Sequence, residues 1–268
     1  MRKKWKYYEN DNKEEAIKLE EKFNVNKLLA MIMANRGITE KNAEIFLNPN
    51  RHDFHDPFKM PDMEEAVNRI VKAIENNEKT IIFGDYDVDG ITSTTVLKSF
   101  LKDRGLDVGN YIPNRLEEGY GLNKDAIEKI AKDGYTLMIT VDCGITGNEE
   151  IEFAKSLGIE TIVTDHHEPA EELPNAIAVV DCKRKDNKYP FRELAGVGVA
   201  FKLTQAISIR LGLDEKEYLK YLDIVSIGTI SDIVPLVDEN RVITKLGLKL
   251  VRCTKNIGLK AILNEIRI

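Results

Sequence analysis

The sequence predicts an α/β fold: a doubly wound, mainly parallel sheet of five strands preceded by an N-terminal helical appendage. Three observations predict it. Five short apolar runs recur along the middle of the chain, helical segments separate most of them, and residues 1–60 read as short helices with no strand among them. Continuous apolar runs separated by helices indicate a parallel sheet covered on both faces.

The appendage contains helical segments at 14–23 and 26–35 and a third opened by Thr39-Glu-Lys-Asn. Thr39 is placed to cap that third helix, where Ala43, Phe46 and Leu47 share one apolar face. The stretch Asn48-Pro-Asn-Arg-His-Asp-Phe-His-Asp-Pro is rich in turn formers and reads as a linker. The domain boundary therefore falls near Pro61, with 1–60 as appendage and linker and 61–268 as the main domain.

The main domain opens on a helix at 63–76, followed by the strand Thr80-Ile-Ile-Phe-Gly. A helix at 91–103, a strand at 108–112 and a helix at 124–133 come next. The strand Leu137-Met-Ile-Thr-Val, a helix at 148–157 and strands at 161–164 and 176–180 complete the alternation. After Tyr189 the character changes to helices, at 199–211, 215–228 and 244–253. No internal repeat or low-complexity tract occurs.

A chain of 268 residues with 43% hydrophobic residues can bury a full core. Its 39 basic and 45 acidic residues give a formal charge of −6, so a polyanion would have to meet a local basic surface or bound cations. Cys143, Cys182 and Cys253 lie far apart and form no CxxC pair, which suggests neither a disulfide framework nor a zinc ribbon and makes a reducing cytoplasm the simplest compartment. The basic N-terminus leads into polar residues, and no run of about 18 apolar residues follows. The protein is expected to be soluble, unexported and without a membrane partner.

In an open parallel sheet, functional groups collect where strands end at their carboxyl edge. Here the first strand runs into Gly84-Asp-Tyr-Asp-Val-Asp-Gly90, the third into Val141-Asp-Cys-Gly144 and the fourth into Thr164-Asp-His-His167. If extended, the first segment puts Asp85, Asp87 and Asp89 on one side, close enough to need a cation. Asp142 and the pair of imidazoles add a mixed oxygen and nitrogen set, which suits Mn²⁺ or Mg²⁺ better than calcium or a thiolate zinc site. Several bridging carboxylates favour two ions, the arrangement that activates water and stabilises a leaving oxygen in phosphoester hydrolysis. Each piece alone fits ordinary turn and cap chemistry; Asp89, for instance, could cap a helix starting at Gly90. The coincidence at three strand ends is what points to a shared metal centre.

Other features say less. Gly90-Ile-Thr-Ser-Thr, which includes Ser93, could offer backbone N–H groups and hydroxyls to a phosphate or could simply cap a helix. Gly196-Val-Gly-Val-Ala is equally compatible with a phosphate cradle and a packing turn. His52 and His55 belong to the linker, and no evident base activates Cys143.

The strand-end motifs Gly84-Asp-Tyr-Asp-Val-Asp-Gly90, Val141-Asp-Cys-Gly144 and Asp165-His-His167 resemble the DHH phosphoesterase superfamily, specifically its RecJ branch of single-strand-specific exonucleases. The resemblance continues through Tyr111-Ile-Pro-Asn-Arg-Leu-Glu-Glu-Gly-Tyr-Gly-Leu122, Leu194-Ala-Gly-Val-Gly-Val-Ala-Phe-Lys-Leu203 and Asp223-Ile-Val-Ser-Ile-Gly-Thr-Ile-Ser-Asp-Ile-Val-Pro-Leu236. Carried over by position, it implies that Asp85 and Asp87 bind metal, Asp142 bridges the ions and His166 is a ligand. It also implies Asp232 as the last acidic ligand, with Asp223 as a competing candidate. His167 would sit beside the scissile phosphate, and Asp165 would orient an imidazole. Asp142, His166 and His167 are thus the implied catalytic set, and Arg115, on the loop after the second strand, is the best remaining phosphate contact.

The implied activity is 5′→3′ degradation of single-stranded DNA to 5′-mononucleotides in DNA repair and recombination, with two Mn²⁺ or Mg²⁺ ions as cofactors. The implied setting is a cytoplasmic monomer working with single-strand-binding protein and a helicase. Phe83-Gly84 stands where small-substrate members of the superfamily carry a histidine, which favours the nuclease branch over a short-oligonucleotide or cyclic-dinucleotide phosphodiesterase. An inactive scaffold is the third reading, against which the intact ligand set argues. Asp181 departs from the family's frequent Asn-Pro. RecJ proteins continue into a DHH-associated domain and usually an oligonucleotide-binding fold, so the chain reads as a catalytic fragment or as a natural short homologue.

Overall fold

The fold is described for residues 12–119 and 121–266 of a computed structural model. The described residues form two compact units, one ending at Asp53 and one beginning at Phe54. The smaller contains α1 (Lys13–Phe23), α2 (Lys27–Asn35) and α3 (Ala43–Leu47). Asn26 caps α2, its side chain accepting from the Leu29 N–H at 2.9 Å. Thr39 is not a cap: its own N–H donates to Asn42 Oδ1 at 2.7 Å, and α3 starts after Asn42.

Residues 54–60, assigned to the linker by the sequence, pack in the larger unit. The Phe54 ring lies 5.3 Å from that of Phe201, and the His55 N–H donates to Glu239 Oε1 at 2.9 Å. The unit continues through α4 (Met63–Glu75), β1 (Thr80–Gly84), α5 (Val88–Lys102), β2 (Val108–Tyr111) and α6 (Lys124–Lys132). Then come β3 (Leu137–Val141), α7 (Asn148–Ser156), β4 (Glu160–Asp165) and β5 (Ala178–Asp181). The chain closes with α8 (Gly196–Arg210), α9 (Lys216–Leu219), α10 (Leu222–Ser231), α11 (Asp238–Val251) and α12 (Ile257–Glu265).

All pairings are parallel in the order β2-β1-β3-β4-β5, which places the topological switch between β1 and β3. Alternation along each strand divides the core. Ile82, Ile139, Ile162 and Val180 meet Val67 and Ile70 of α4, Leu97 and Phe100 of α5, and Phe201 of α8. Ile81, Phe83 and Met138 point the other way, to Ile127 and Ile130 of α6 and Ala154 of α7. Both faces are covered at β1, β3 and β5, whose residues are all buried, whereas the edge strand β2 keeps Asn110 exposed.

Two boundary differences matter for the site. The sequence predicts a start of α5 near Ile91, but the helix starts at Val88, because Asp87 takes the cap position and accepts from the Gly90 N–H at 2.9 Å. The helix expected at 215–228 is two, α9 and α10, and α10 runs on to Ser231, which carries Asp232 to its C-terminal end.

Candidate metal centre

The register makes the functional strand ends level. Gly84 pairs with Val141, Val141 with Thr164, and Asp165 with Asp181. The residues that follow β1 and β3 therefore meet at the switch point, where neighbouring helices leave in opposite directions and open a crevice. Asp85 is buried, with Oδ1 accepting from the Tyr86 N–H at 2.7 Å. Asp142 is buried with φ 59°, a left-handed conformation that aspartate tolerates better than most residues. A Cβ on Gly196 would fall 2.5 Å from Asp142 Oδ1, so only glycine lets α8 begin this close.

Three sets of side chains bring ligand atoms within 4.8 Å of one another: Asp85, Asp87 and Asp142; Asp89, His166 and Asp232; and Asp142, His166 and His167. Asp142 is common to the first and third, and His166 Nε2 lies 3.1 Å from Asp142 Oδ1 and 3.7 Å from Asp89 Oδ2. Its Nδ1 lies 3.8 Å from Asp232 Oδ2. Asp142 Oδ1 and His166 Nδ1 are buried and make no hydrogen bond among the described residues.

The electrostatics describe a site short of positive charge. Burial pushes Asp142 up to about 9, helped by the charges of Asp87 and Asp165. Asp85, Asp89 and Asp232 are also raised, burial again being the main cause. Asp165 goes the other way despite its burial. It is lowered by the His167 ring, whose Nδ1 is 2.7 Å from Asp165 Oδ1, and by the backbone N–H groups of Ile145 and His166. His167 is raised in turn, to about 9, chiefly by that hydrogen bond. Orphaned buried donor atoms among carboxylates fit a cation set of mixed oxygen and nitrogen ligands.

A sequence model of the DHH family, N-terminal domain, matches residues 79–229. The chain belongs to the DHH family. Over 91% of its length it is 47% identical to the single-stranded-DNA-specific exonuclease RecJ of Bacillus subtilis, and over 74% it is 37% identical to that of Thermus thermophilus. It spans only 30% and 29% of those two relatives. A manganese-bound exonuclease RecJ crystal structure superposes with TM-score 0.71 at 35% identity, over 77% of this chain and 52% of that one. The RecJ of Thermus thermophilus with Mn²⁺ gives TM-score 0.79 at 29% identity, over 94% and 35%. The five-stranded parallel sheet with flanking helices is the fold these proteins share.

Within this DHH domain, the residues singled out from the sequence fare differently. Asp85, Asp87, Asp142, His166, His167 and Asp232 converge. Asp223 does not: it lies at the start of α10, nine residues and about 13 Å of helix from Asp232, and its Oδ2 accepts from Thr254 Oγ1 at 2.5 Å. Ser93 is fully buried, so it presents no hydroxyl to a phosphate, and the Thr92 hydroxyl bonds back to Val88 O at 2.7 Å. Arg115 is exposed, its guanidinium 5.4 Å from the Tyr86 ring centre. Asp181 is buried at the end of β5, where Oδ1 accepts from the Lys183 N–H at 2.6 Å and burial pushes the carboxyl up to about 7. Cys143 is buried with its thiol pushed up, which disfavours a nucleophilic thiolate.

Asp89 is the residue whose place the sequence reading missed. It caps α8, not its own helix, accepting from the Gly196 N–H at 2.6 Å and the Val197 N–H at 2.8 Å. The same N–H groups account for the Gly196-Val-Gly motif as a packing turn, and they hold Asp89 beside His166 and Asp232. The signal was present in the period. Starting the helix at Val88 turns Asp89 inward, whereas an extended chain puts it beside Asp85 and Asp87.

Proposed function

We propose that this DHH domain hydrolyses phosphodiester bonds of single-stranded DNA, with two divalent ions, Mn²⁺ or Mg²⁺, as cofactors. The observation that carries the reading is the sharing of Asp142 between neighbouring ligand groups, with Asp142 Oδ1 and His166 Nδ1 buried there without a hydrogen bond. Asp85, Asp87 and Asp142 would hold one ion; Asp89, His166 and Asp232, with Asp142 at the boundary, would hold the other. Manganese and magnesium are the metals named for the solved RecJ relatives, and single-stranded DNA is the substrate in the names of the sequence relatives. Bound there, the ions supply acidification of water and neutralisation of phosphate charge.

The chain's own residues do the rest. Asp142 sets the spacing of the two groups, and Asp89 ties that spacing to the start of α8. Asp165 holds the His167 ring and keeps it protonated at neutral pH, so that His167 donates to a phosphate oxygen as negative charge develops there. Arg115 meets a second phosphate. By family resemblance we extend the reading to 5′→3′ polarity with release of 5′-mononucleotides. The same resemblance supports work in DNA repair and recombination as a cytoplasmic monomer beside single-strand-binding protein and a helicase.

The test is Mn²⁺-dependent release of nucleotide from a 5′-phosphorylated single strand, with a calorimetric Mn²⁺ titration in parallel. Turnover that vanishes in Asp142→Ala, with folding intact, supports the reading. A strong preference for a dinucleotide over the long strand would move the assignment to a short-oligonucleotide phosphodiesterase. Absence of Mn²⁺ binding would make the domain an inactive scaffold.

A further inference from the structure

The motif that delivers Asp232 does not end with it. Asp232 closes α10, and the chain then turns through Ile233 at φ 61°, with the Ile233 N–H donating to Ile230 O at 3.2 Å. This is the helix-end position where glycine is the usual residue, and a β-branched side chain there is a conformational outlier. Strain of this kind persists where surrounding structure enforces it, and it clusters at ligand sites.

The Ile233 side chain is 89% exposed, and Ile230 and Leu236 beside it in the chain are exposed to 40% and 39%. The segment is nonetheless tethered. Fully buried Asn240 donates Nδ2 to Pro235 O at 3.1 Å and also to Glu193 O, while the Val237 N–H donates to Pro235 O at 2.9 Å. A strained, anchored apolar ridge thus begins one residue from a carboxylate of the metal centre.

We propose that Ile230, Ile233 and Leu236 form the wall against which a nucleobase of the bound strand packs, beside the metal ligand Asp232. The inference rests on the single-stranded DNA reading above. A strand brings two chemistries to such an edge: phosphates, which divalent ions and His167 would take, and base faces, which are apolar and available only when unpaired. An exposed isoleucine can do nothing for a phosphate. It can cover a base face without regard to sequence, as a nuclease that digests any single strand requires.

Ile233→Gly separates a base-packing role from a structural one, because the two move in opposite directions. Glycine relieves the left-handed strain, so the midpoint of thermal unfolding should rise by about 1–3 °C. The KM for a single-stranded oligonucleotide should rise about five- to tenfold, the effect of losing roughly half an isoleucine's apolar contact, with kcat within about twofold. Ile233→Ala keeps the strain and loses the contact, so KM rises without the gain in stability. Replacing the terminal nucleotide by an abasic one should weaken binding by the wild-type chain and hardly at all by Ile233→Gly, a coupling that assigns the contact to the base.

Equal abasic penalties in both chains, with KM unchanged, overturn the inference. So does a change in self-association on sedimentation with the abasic penalty intact, which would make the ridge a contact between copies. Asp142→Ala is run alongside: loss of turnover there with Ile233→Gly silent removes only this inference, whereas turnover independent of Asp142 removes the nuclease reading with it.

Discussion

Two clusters of buried charge lie in the larger unit, and they are built on opposite terms. Around fully buried Lys202 every charge is answered. Its Nζ donates to Glu239 Oε1 at 2.8 Å and to His55 O at 2.6 Å, Glu239 Oε2 accepts from the Tyr189 hydroxyl, and the His55 ring lies 2.7 Å from Asp238 Oδ1. At the carboxyl edge of the sheet, Asp89, Asp142 and Asp232 converge on the His166 imidazole, and Asp142 Oδ1 and His166 Nδ1 make no hydrogen bond among the described residues. A buried ionic group whose partners are all protein is architecture; one whose partners are missing is a binding site. The comparison predicts that removing a charge should harm the first cluster and relieve the second.

The largest effect should come from Asp142. Asp142→Ala should lower Mn²⁺-dependent hydrolysis by about 10³-fold or more, measured as nucleotide released from a single strand. In EDTA the same site should behave as a destabilising cluster. Asp142 keeps its proton in the folded chain up to about pH 9 but loses it near its ordinary 3.8 when unfolded, so the folded state binds more protons through that window and stability falls as pH rises across it. Asp142→Asn should flatten the fall in unfolding temperature between pH 6 and 9; a wild-type chain without that fall would break the contrast.

Glu239→Gln should do the reverse, leaving Lys202 buried and unpaired and costing about 3–5 kcal/mol in urea unfolding. Mn²⁺ affinity of the folded fraction should stay within about twofold. Lys202→Met with Glu239→Leu should recover most of the loss. If the single change costs under about 1 kcal/mol, the Lys202 cluster is not the brace that its hydrogen bonds indicate.

The two clusters were unequally legible in the sequence. Asp85, Asp87, Asp142 and the imidazole pair follow strands in a parallel sheet, and topology alone sends such residues to one edge. Asp232 needed the family resemblance because it ends a helix, and no strand-end rule reaches it. Asp89 was misplaced by a start of α5 drawn three residues late, which turned a helical period of 3.6 into an extended period of 2. The Lys202 cluster was invisible. Lys202 reads as a polar residue in an apolar helix, His55 as part of a linker, and Glu239 as a residue before a helix, yet they meet across more than 180 positions, from His55 to Glu239. Continuous apolar strands announce themselves locally; long-range charge pairing does not.

A smaller effect sharpens what completes the acidic edge besides metal. Asp165→Asn should return His167 from about 9 towards its ordinary 6.5, since the Asp165 hydrogen bond is the main cause of the rise. Activity of the wild-type chain should then fall as pH rises through about 9, and that of Asp165→Asn through about 7, with a loss of about 10- to 100-fold at pH 8. A proton NMR titration of His167 in both chains checks the shift independently of turnover. Coincident titrations would mean that Asp165 serves the Ile145, His166 and His167 backbone N–H groups alone.

Arg115 should matter least and distinguish most cleanly between ion and side chain as the source of positive charge. Its guanidinium sits over Tyr86, which follows Asp85 directly, so it borders the acidic edge without belonging to it. Arg115→Ala should weaken binding of a single strand about three- to tenfold whatever the sequence, and should lower the slope of log affinity against log salt by about 0.7, the share of one phosphate contact. Arg115→Lys should restore the salt slope and not all of the affinity, because an ammonium keeps the charge but loses the guanidinium's fork of donors. An unchanged slope in Arg115→Ala would leave phosphate contact at this edge to the ions and His167, and the contrast between the self-satisfied Lys202 cluster and the cation-dependent site would then be wider than the guanidinium suggests.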